Sequence, residues 1–294
     1  MSNPISMKKP LLLSLLPLLF IRCSGLEKRD NYSGHIRGDW VTDFVHSDAN
    51  RPFYTFSFQD SICSYIHPSG AYSPYTVKQD TLVITESAPR GGMAEKQGKY
   101  HFRITALDDH ALSLYPITPE TAELTATSGE RADTIHLKKI PEKNDERLVR
   151  IGFYSGPCFG VCPSMYLEID SEGNILFDGL AHTSKQGMHS GKIPESELKQ
   201  IAKKLQRIEL GKLKKEYAAR WTDDQACRIK IETGKGMYES SVYGFDKEPV
   251  ALRMLLHKLM ETYKTATLKQ DSSIVRKFAF PGFQQSGFPT SPGQ

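Results

Sequence analysis

The feature that most constrains this chain is a series of short β-prone runs in its first half. Eight such runs follow one another between residues 39 and 140, separated by turn sequences such as "HPSG", "KQD" and "LDDH". No stretch with helical periodicity interrupts them, and this regular spacing predicts an all-β sandwich or barrel. The predicted strands are Asp39–Val45, Phe53–Gln59, Ser61–Ile66, Tyr72–Lys78, Thr81–Glu86, Lys99–Ala106, Ala111–Tyr115 and Asp133–Ile140.

The sequence "GDW" at residues 38–40 opens the first of these strands. Trp40, followed by an eight-strand meander, resembles the Gly-x-Trp start of lipocalin-like barrels. In that family the tryptophan closes one barrel end and stacks on an arginine near the last strand. Lys138 or Lys139 stands in the corresponding place here, and a lysine cannot stack as a planar guanidinium does. The resemblance covers residues 36–140 and implies an eight-stranded lipocalin-like antiparallel barrel.

The interior of such a barrel has two interpretations. A barrel of eight strands is either filled by its own side chains or holds one small ligand. In the first case the large apolar residues, with Tyr65 and Leu114, pack it solid; in the second they line a pocket for a small apolar molecule. The candidate pocket or core residues are Trp40, Phe56, Phe58, Tyr75 and Phe102.

The second half of the chain mixes strand and helix patterns. Pro194 and Pro249 each stand at the predicted start of a helix, the position that proline favours. In the first helix, apolar residues recur at steps of three and four and form one core-facing stripe. Strands with two helices on one side predict a small α+β domain with an antiparallel sheet. The strand-like runs are "RLVRIGFYS", "MYLEID", "ILFDG", "CRIKIET" and "MYESSVYGF".

The charged sequence "PEKNDE" at residues 141–146 separates the two patterns. We therefore predict two domains, the barrel at residues 36–140 and the α+β domain at residues 147–263. The remaining residues, 264–294, are rich in Gly, Pro, Ser and Gln. This composition predicts a mostly unstructured tail.

The N-terminus has the layout of a secretory signal. Lys8 and Lys9 precede an apolar run from Leu11 to Ile21, which is shorter than the roughly 20 residues of a transmembrane helix. Cys23, directly after this run, resembles the lipidated cysteine of a bacterial lipoprotein signal. The resemblance implies a signal peptide at 1–22, a lipid-anchored tether at 23–35 and a cell-envelope location on a bacterial membrane. The alternatives are a plain secretory signal and an uncleaved anchor.

Charge argues against nucleic acid as a partner. Cleavage after residue 22 would remove three of the 38 basic residues and none of the 34 acidic ones, so the mature chain is nearly neutral. An electrostatic nucleic-acid binder would need a basic stripe. The basic residues Lys203, Lys204 and Arg207 are predicted to form the solvated side of a helix.

The sequence "GPCFGVCPSM" at residues 156–165 carries the densest chemistry in the chain. Cys158 and Cys162 can bridge only if the chain between them turns back, because a disulfide needs Cα atoms within about 7 Å and an extended path spans roughly 13 Å. Gly160 permits that turn, and disulfides persist in exported proteins. We therefore predict a Cys158–Cys162 disulfide that pins the bend between two strands.

Two alternatives exist for this pair. A thiol oxidoreductase usually has two residues between its cysteines at a helix N-terminus, whereas here three intervene and a strand follows. A metal site would need two further ligands, and His182 and His189 lack the short spacing of zinc sites. Cys227 is predicted to be a buried small hydrophobe or, alternatively, a partner of Cys158 or Cys162. Cys63 is predicted to be a free buried thiol.

The sequence "CFGVCP", a Gly-Asn hairpin turn and "TDDQACRIKI" together resemble a bacterial envelope domain family with a Cys-Phe-Gly-x-Cys-Pro motif. The resemblance covers roughly residues 147–263. It implies a fold and a structural disulfide, but no chemistry.

No catalytic signature converges elsewhere. The chain has no Gly-x-Ser-x-Gly, His-Glu-x-x-His, phosphate-loop or dinucleotide motif, so we predict no catalytic residues, no metal site and no cofactor. The sequence favours the function of a cell-envelope lipoprotein with a non-catalytic binding or structural role, in which the barrel is a candidate site for a small apolar ligand. The alternative is an envelope thiol-redox factor or enzyme that uses Cys158 and Cys162.

Overall fold

A computed structural model describes residues 32–43, 53–66, 72–86, 98–126, 133–280 and 282. All of these residues belong to one compact unit. The predicted signal peptide at 1–22, the predicted lipidation site Cys23 and most of the predicted tether lie outside the described residues.

The first half of the chain forms a closed antiparallel barrel of eight strands, as the spacing of its β-prone runs predicts. Each strand pairs with the next, and the last strand pairs with the first. The strands are β1 Gly38–Thr42, β2 Thr55–Phe58, β3 Ile62–Ile66, β4 Ser73–Lys78, β5 Thr81–Thr85, β6 Lys99–Leu107, β7 Ala111–Pro116 and β8 Ile135–Lys139.

The tryptophan at the start of the barrel is held by a lysine. Trp40 lies opposite Lys139 in the β1–β8 register, and the Lys139 Nζ atom lies 5.0 Å from the centre of the indole ring. The Trp40 Nε1 atom donates a hydrogen bond of 2.7 Å to the Ile36 carbonyl oxygen. A cation–π contact thus takes the place of the arginine stacking in the family that this barrel resembles.

Two short helices accompany the barrel. Helix α1 (Tyr32–His35) precedes β1, and helix α2 (Pro119–Thr125) connects β7 to β8. The prediction that no helix interrupts the strands is therefore wrong. The sequence did carry a signal for α2, because Thr118 is an N-cap whose side chain accepts from the Thr121 N–H, and Pro119 follows it in the first turn.

The second half of the chain builds a sheet larger than the sequence predicts. It has eight strands in the order β13-β15-β14-β9-β10-β11-β12-β16, and all neighbours are antiparallel except β13 and β15. Strand β12 was not predicted because its sequence "GMHSGK" has two glycines and no apolar alternation. The strands are β9 Leu148–Ser155, β10 Ser164–Asp170, β11 Asn174–Ala181, β12 Gly187–Lys192, β13 Glu216–Ala218, β14 Ala226–Thr233, β15 Gly236–Tyr243 and β16 Thr267–Gln270.

Helices α3 (Glu195–Gln206) and α4 (Val250–Thr265) pack on one face of this sheet, which confirms the two predicted helices. Ile201 and Leu205 of α3 and Leu255 and Leu259 of α4 are fully buried against inward-facing residues of the central strands. None of the helices in the described ranges is long and apolar enough to cross a membrane.

Part of the predicted unstructured tail is folded. Strand β16 extends the sheet beside β12, and Asp271 caps a 3₁₀ turn at Ser272–Arg276. The prediction of an unstructured tail is wrong for these residues. Residues 283–294 lie outside the described residues.

A buried carboxylate holds the end of this segment on the open face of the sheet. The Glu168 side chain accepts hydrogen bonds from the backbone N–H groups of Ala279 and Phe280, at 2.8 and 2.9 Å, and from the Tyr166 hydroxyl. The Phe280 ring packs over Gly152, where a Cβ atom would lie 2.6 Å from the ring. Gly152 therefore makes room for the Phe280 ring, which belongs to the segment that its composition predicts to be unstructured.

We expect Phe280→Ala to lower the free energy of unfolding by about 3 kcal/mol, the usual cost of truncating a buried phenylalanine. Phe159→Ala is the matched control, because the Phe159 side chain is 91% exposed, and it should change stability by less than about 0.5 kcal/mol. Urea unfolding of both variants measures the difference. Equal effects of the two substitutions would contradict the docking of the segment.

Candidate functional site: the cleft between barrel and helix α3

The predicted Cys158–Cys162 disulfide is present, with its Cα atoms 5.6 Å apart. It closes the loop between β9 and β10, and the neighbouring Gln225 side chain donates hydrogen bonds to the carbonyl oxygens of Gly156 and Pro163, at 3.3 and 3.0 Å. The disulfide and these bonds brace the bend between two central strands, as the sequence predicts.

The braced loop presents two apolar side chains to solvent. Phe159 is 91% exposed and Val161 is 80% exposed. The Gly160 N–H donates a hydrogen bond of 3.2 Å to the Cys158 Sγ atom, and strand β10 begins at Ser164, so no helix follows the second cysteine. No group of three potential metal-ligating side chains occurs within the described ranges.

The two remaining described cysteines are buried free thiols. Burial raises the pKa of Cys63 and of Cys227 far above the ordinary value, and the charge of Glu248 adds to the effect at Cys227. The alternative in which Cys227 pairs with Cys158 or Cys162 is therefore wrong, because those two cysteines bond to each other. Buried thiols with a raised pKa are poor nucleophiles.

We expect native, non-reduced protein to contain no rapidly reacting thiol. Unfolding without a reductant should expose two thiols, Cys63 and Cys227, and a third would show that Cys23 is unmodified. Thiol titration with a chromogenic disulfide measures these numbers, and a Cys158→Ser/Cys162→Ser double variant should give the same count. A pair of fast-reacting thiols in the native protein would instead support the redox alternative.

All five barrel residues singled out from the sequence lie in one buried cluster. The Phe56 ring stacks on Phe58 at 5.7 Å between centroids and meets Phe102 edge-on at 6.2 Å. Phe58 in turn meets Tyr75 edge-on at 5.2 Å. Together with Trp40, these contacts place the five side chains in the packed core of the barrel.

The sequence does not predict a polar cleft of about 620 Å³ between the barrel and helix α3. The start of β1, the end of β2 and Lys139 of β8 form one wall, and the residues of α3 that face away from the sheet form the other. Basic side chains outnumber acidic ones in its lining, by six to four.

A buried ionic cluster forms the floor of this cleft. The Lys204 Nζ atom lies 3.0 Å from Asp39 Oδ1 and 3.1 Å from the Ser57 hydroxyl, while the Arg207 guanidinium pairs with Asp39 Oδ2. The Lys204 and Asp39 side chains are each only 4% exposed. The prediction that Lys204 and Arg207 lie on a solvated helix side is wrong, because the barrel covers that side of α3.

The electrostatics of the cluster follow from its burial. Desolvation tends to raise the pKa of Asp39, but the positive charges of Lys204 and Arg207 and the Ser57 hydrogen bond outweigh it and lower that pKa. Burial lowers the pKa of Lys204, against the opposing effect of the Asp39 charge. The Asp39 carboxylate therefore stays ionised at neutral pH.

Three residues that line the cleft each have a buried polar atom without a hydrogen-bond partner within the described part of the chain. Among the described residues, five buried side-chain nitrogen or oxygen atoms lack a partner, and three of them belong to Gln59, Gln200 and Arg207. The atoms are the two glutamine Oε1 acceptors and the Arg207 Nε donor, and all three residues line the cleft. Leaving such a group unpaired costs about 1–3 kcal/mol.

Two lysines add positive charge that no carboxylate of the described residues balances. Neither Lys139 nor Lys203 forms an ion pair with another described residue, although both line the cleft. Gly38 makes room for the Lys139 side chain, because a Cβ atom at residue 38 would lie 2.8 Å from Lys139 Cε. The lining of the cleft therefore carries an excess of positive charge.

We expect Asp39→Ala to lower the free energy of unfolding by about 3–5 kcal/mol, since it leaves Lys204 and Arg207 buried without a counter-charge. Asp43→Ala is the matched control, because Asp43 pairs at 3.5 Å with Lys138, whose side chain is half exposed, and it should cost at most about 1 kcal/mol. Denaturant unfolding measures both values.

The dependence of stability on acidic pH provides a second test of this cluster. Because the pKa of Asp39 is lowered on folding, its contribution is present above the unfolded value of about 4 and is lost as pH falls below it. This part of the acid sensitivity should disappear in Asp39→Ala. If Asp39→Ala costs no more than Asp43→Ala at neutral pH, the cluster does not join the two parts.

Comparison with known proteins finds a match only in the second half of the chain. Residues 149–263 match the model of a family described as "Domain of unknown function (DUF6438)". The matched segment runs from β9 to α4, contains the disulfide loop and covers less than half of the 294 residues. Comparisons with curated proteins and with solved structures find no match. The family carries no assigned activity, and the barrel lies outside the matched segment.

Proposed function

We propose that this chain is a cell-envelope lipoprotein with a non-catalytic binding role, and that its ligand occupies the cleft between the barrel and helix α3. The observation that carries the proposal is the charge of a cleft of about 620 Å³, in whose lining basic side chains exceed acidic ones by six to four. A cleft of this size lies within the range of small-molecule sites, about 300–1,000 Å³.

The energetic argument favours a ligand over a purely structural contact. A polar group on a bound molecule that accepts hydrogen bonds from the lysines of the lining gains charge-assisted contacts, which are stronger than neutral ones. Because Lys139 belongs to the barrel wall and Lys203 to helix α3, one ligand that contacts both lysines bridges the barrel and the helical layer. Binding then stabilises the folded chain by mass action.

The envelope location rests on two features. The N-terminal segment has the layout of a lipoprotein signal that ends at Cys23, and the exposed loop carries a disulfide between Cys158 and Cys162. Disulfides form and persist in oxidising compartments such as the bacterial periplasm. The lipid would tether the protein to a membrane, which makes the membrane a partner through the anchor alone.

A thiol-redox factor is the second candidate. One observation favours it, namely the Gly160 N–H that donates to the Cys158 Sγ atom, because a hydrogen bond to sulfur favours the thiolate form. The strand that follows Cys162 argues against it, since no helix dipole is available to lower the thiol pKa. A small apolar ligand inside the barrel stays a prediction from the sequence.

We expect the full-length chain, expressed in a bacterial host with a fatty-acid label, to be acylated and recovered with the membrane fraction. Cys23→Ala should abolish both the label and the membrane recovery, whereas Ser24→Ala, the neighbouring control, should keep both. Scintillation counting and mass spectrometry of the mature N-terminus measure the result. Labelling that persists in Cys23→Ala, or a mature N-terminus at another residue, would refute the lipoprotein assignment.

A further inference from the structure

We infer that the disulfide loop at residues 156–163 is a second membrane contact, which inserts Phe159 and Val161 into the boundary between the headgroups and the acyl chains of a lipid bilayer. The inference goes beyond the proposed function, in which the lipid anchor alone joins the protein to the membrane. It rests on that function in one respect, because it takes the protein to be held at a membrane surface by Cys23.

The loop carries two apolar side chains that project into solvent. Phe159 is 91% exposed and Val161 is 80% exposed. The Cys158–Cys162 disulfide closes the turn that bears them, so the turn is held in the form that presents both side chains. Bracing the bend between two strands does not require apolar residues at these positions, and polar residues would not expose hydrocarbon to water. The exposed pair therefore indicates a partner that covers it.

A neighbouring connection adds an aromatic residue. The Phe159 N–H donates a hydrogen bond of 3.4 Å to the Asp223 carbonyl oxygen, which joins the loop to the connection between β13 and β14. In that connection the Trp221 side chain packs against Gly244, is 46% exposed, and donates from Nε1 to Asp224 Oδ2 at 2.8 Å. An aromatic ring with an exposed apolar part and a satisfied polar tip is typical of side chains at membrane–water interfaces.

The size of this apolar tip, made of Phe159, Val161 and Trp221, favours a bilayer over a second copy of the chain. An aromatic side chain buries about 150–250 Å², whereas each partner in a stable protein interface buries roughly 800 Å². Three side chains, of which Trp221 is already half covered, remain below that area. A fluid bilayer needs no complementary surface and can accept a small protruding tip.

The charge of the loop is consistent with the same partner. Residues 156–163 include no charged side chain, so the loop can leave water without the cost of desolvating a charge. Arg220, Asp223 and Asp224, which flank Trp221, carry charges of both signs. Insertion would therefore depend on the burial of apolar surface and not on attraction to anionic lipids.

The anchor would keep the protein close to the bilayer. Nine residue steps separate Cys23 from Tyr32, where α1 begins, and a fully extended chain of this length spans at most roughly 30 Å. A folded body of this size has a radius of gyration of about 18 Å. The span of the tether is thus no larger than the body itself, so the lipid would hold the body beside the membrane surface.

Tryptophan fluorescence tests this inference, because the chain has two tryptophans and only Trp221 is exposed, whereas Trp40 is fully buried in the barrel. The mature full-length protein is added to phosphatidylcholine vesicles whose acyl chains either carry bromine, which quenches tryptophan on contact, or lack it. We expect the brominated vesicles to quench the Trp221 emission. Trp221→Phe should abolish the quenching, which assigns it to this side chain.

Matched variants assign the membrane contact to the loop. Phe159→Ser/Val161→Ser should reduce the quenching to the level of Trp221→Phe, because it removes the apolar surface that inserts. Met237→Ser is the control, since Met237 is also half exposed but belongs to the turn between β14 and β15, at the other end of these strands. It should leave the quenching unchanged. All variants alter exposed side chains, so their urea midpoints should match that of the unmodified protein.

The outcomes separate this inference from the proposed function. If Cys23 is acylated and the protein sediments with the vesicles, but brominated lipid does not quench Trp221, the inference is overturned and the lipoprotein assignment stands. If Cys23 carries no lipid, that assignment fails, and the same comparison of variants still decides the inference. Quenching that Phe159→Ser/Val161→Ser removes supports it, whereas quenching that this variant retains overturns it.

Discussion

The contact on which the rest of this structure depends is the buried pairing of Asp39 with Lys204 and Arg207. Removing ions from water is costly, and the cost is offset only when partners and geometry match. The Asp39 carboxylate of strand β1 therefore fixes the position of helix α3, because both cations must reach it. That position sets the separation between the walls of the cleft, because Gln59 follows β2 and Gln200 belongs to α3.

Helices α3 and α4 each contact both the sheet and the barrel. Their apolar faces pack on the sheet, and their charged faces meet the barrel. On α4, Arg253 lies over the Phe53 ring at 5.7 Å and Lys258 lies over the Tyr72 ring at 4.6 Å, while Lys258 also pairs with Glu197 of α3 at 2.8 Å. Phe53 and Tyr72 belong to the barrel, so cations of α4 hold the barrel in place. The charge of Lys258 is itself balanced by Glu197. These polar and cation–π contacts join the two parts, each of which has its own apolar core.

This arrangement explains which features of the fold could be predicted from the sequence. The barrel strands and the sheet-facing stripe of α3 were predictable because each is visible as a local period. The burial of Lys204 was not, because a charged helix face has the same pattern whether water or a carboxylate meets it, and Asp39 lies 165 positions away. The cleft is built from residues that are distant in sequence. The folded segment ending at Phe280 was not predicted, because composition does not show that its backbone N–H groups donate hydrogen bonds to Glu168.

The same electrostatics favour binding over catalysis at the cleft. A general acid or base works best when its pKa lies near the ambient pH, whereas the pKa of Asp39 is lowered by two adjacent cations and the carboxylate has little tendency to take up a proton. Lys204 is held by two oxygen atoms, Asp39 Oδ1 and the Ser57 hydroxyl. The cluster therefore acts as a fixed charge distribution rather than a proton relay. A fixed charge distribution of this kind is consistent with the binding role proposed for the cleft.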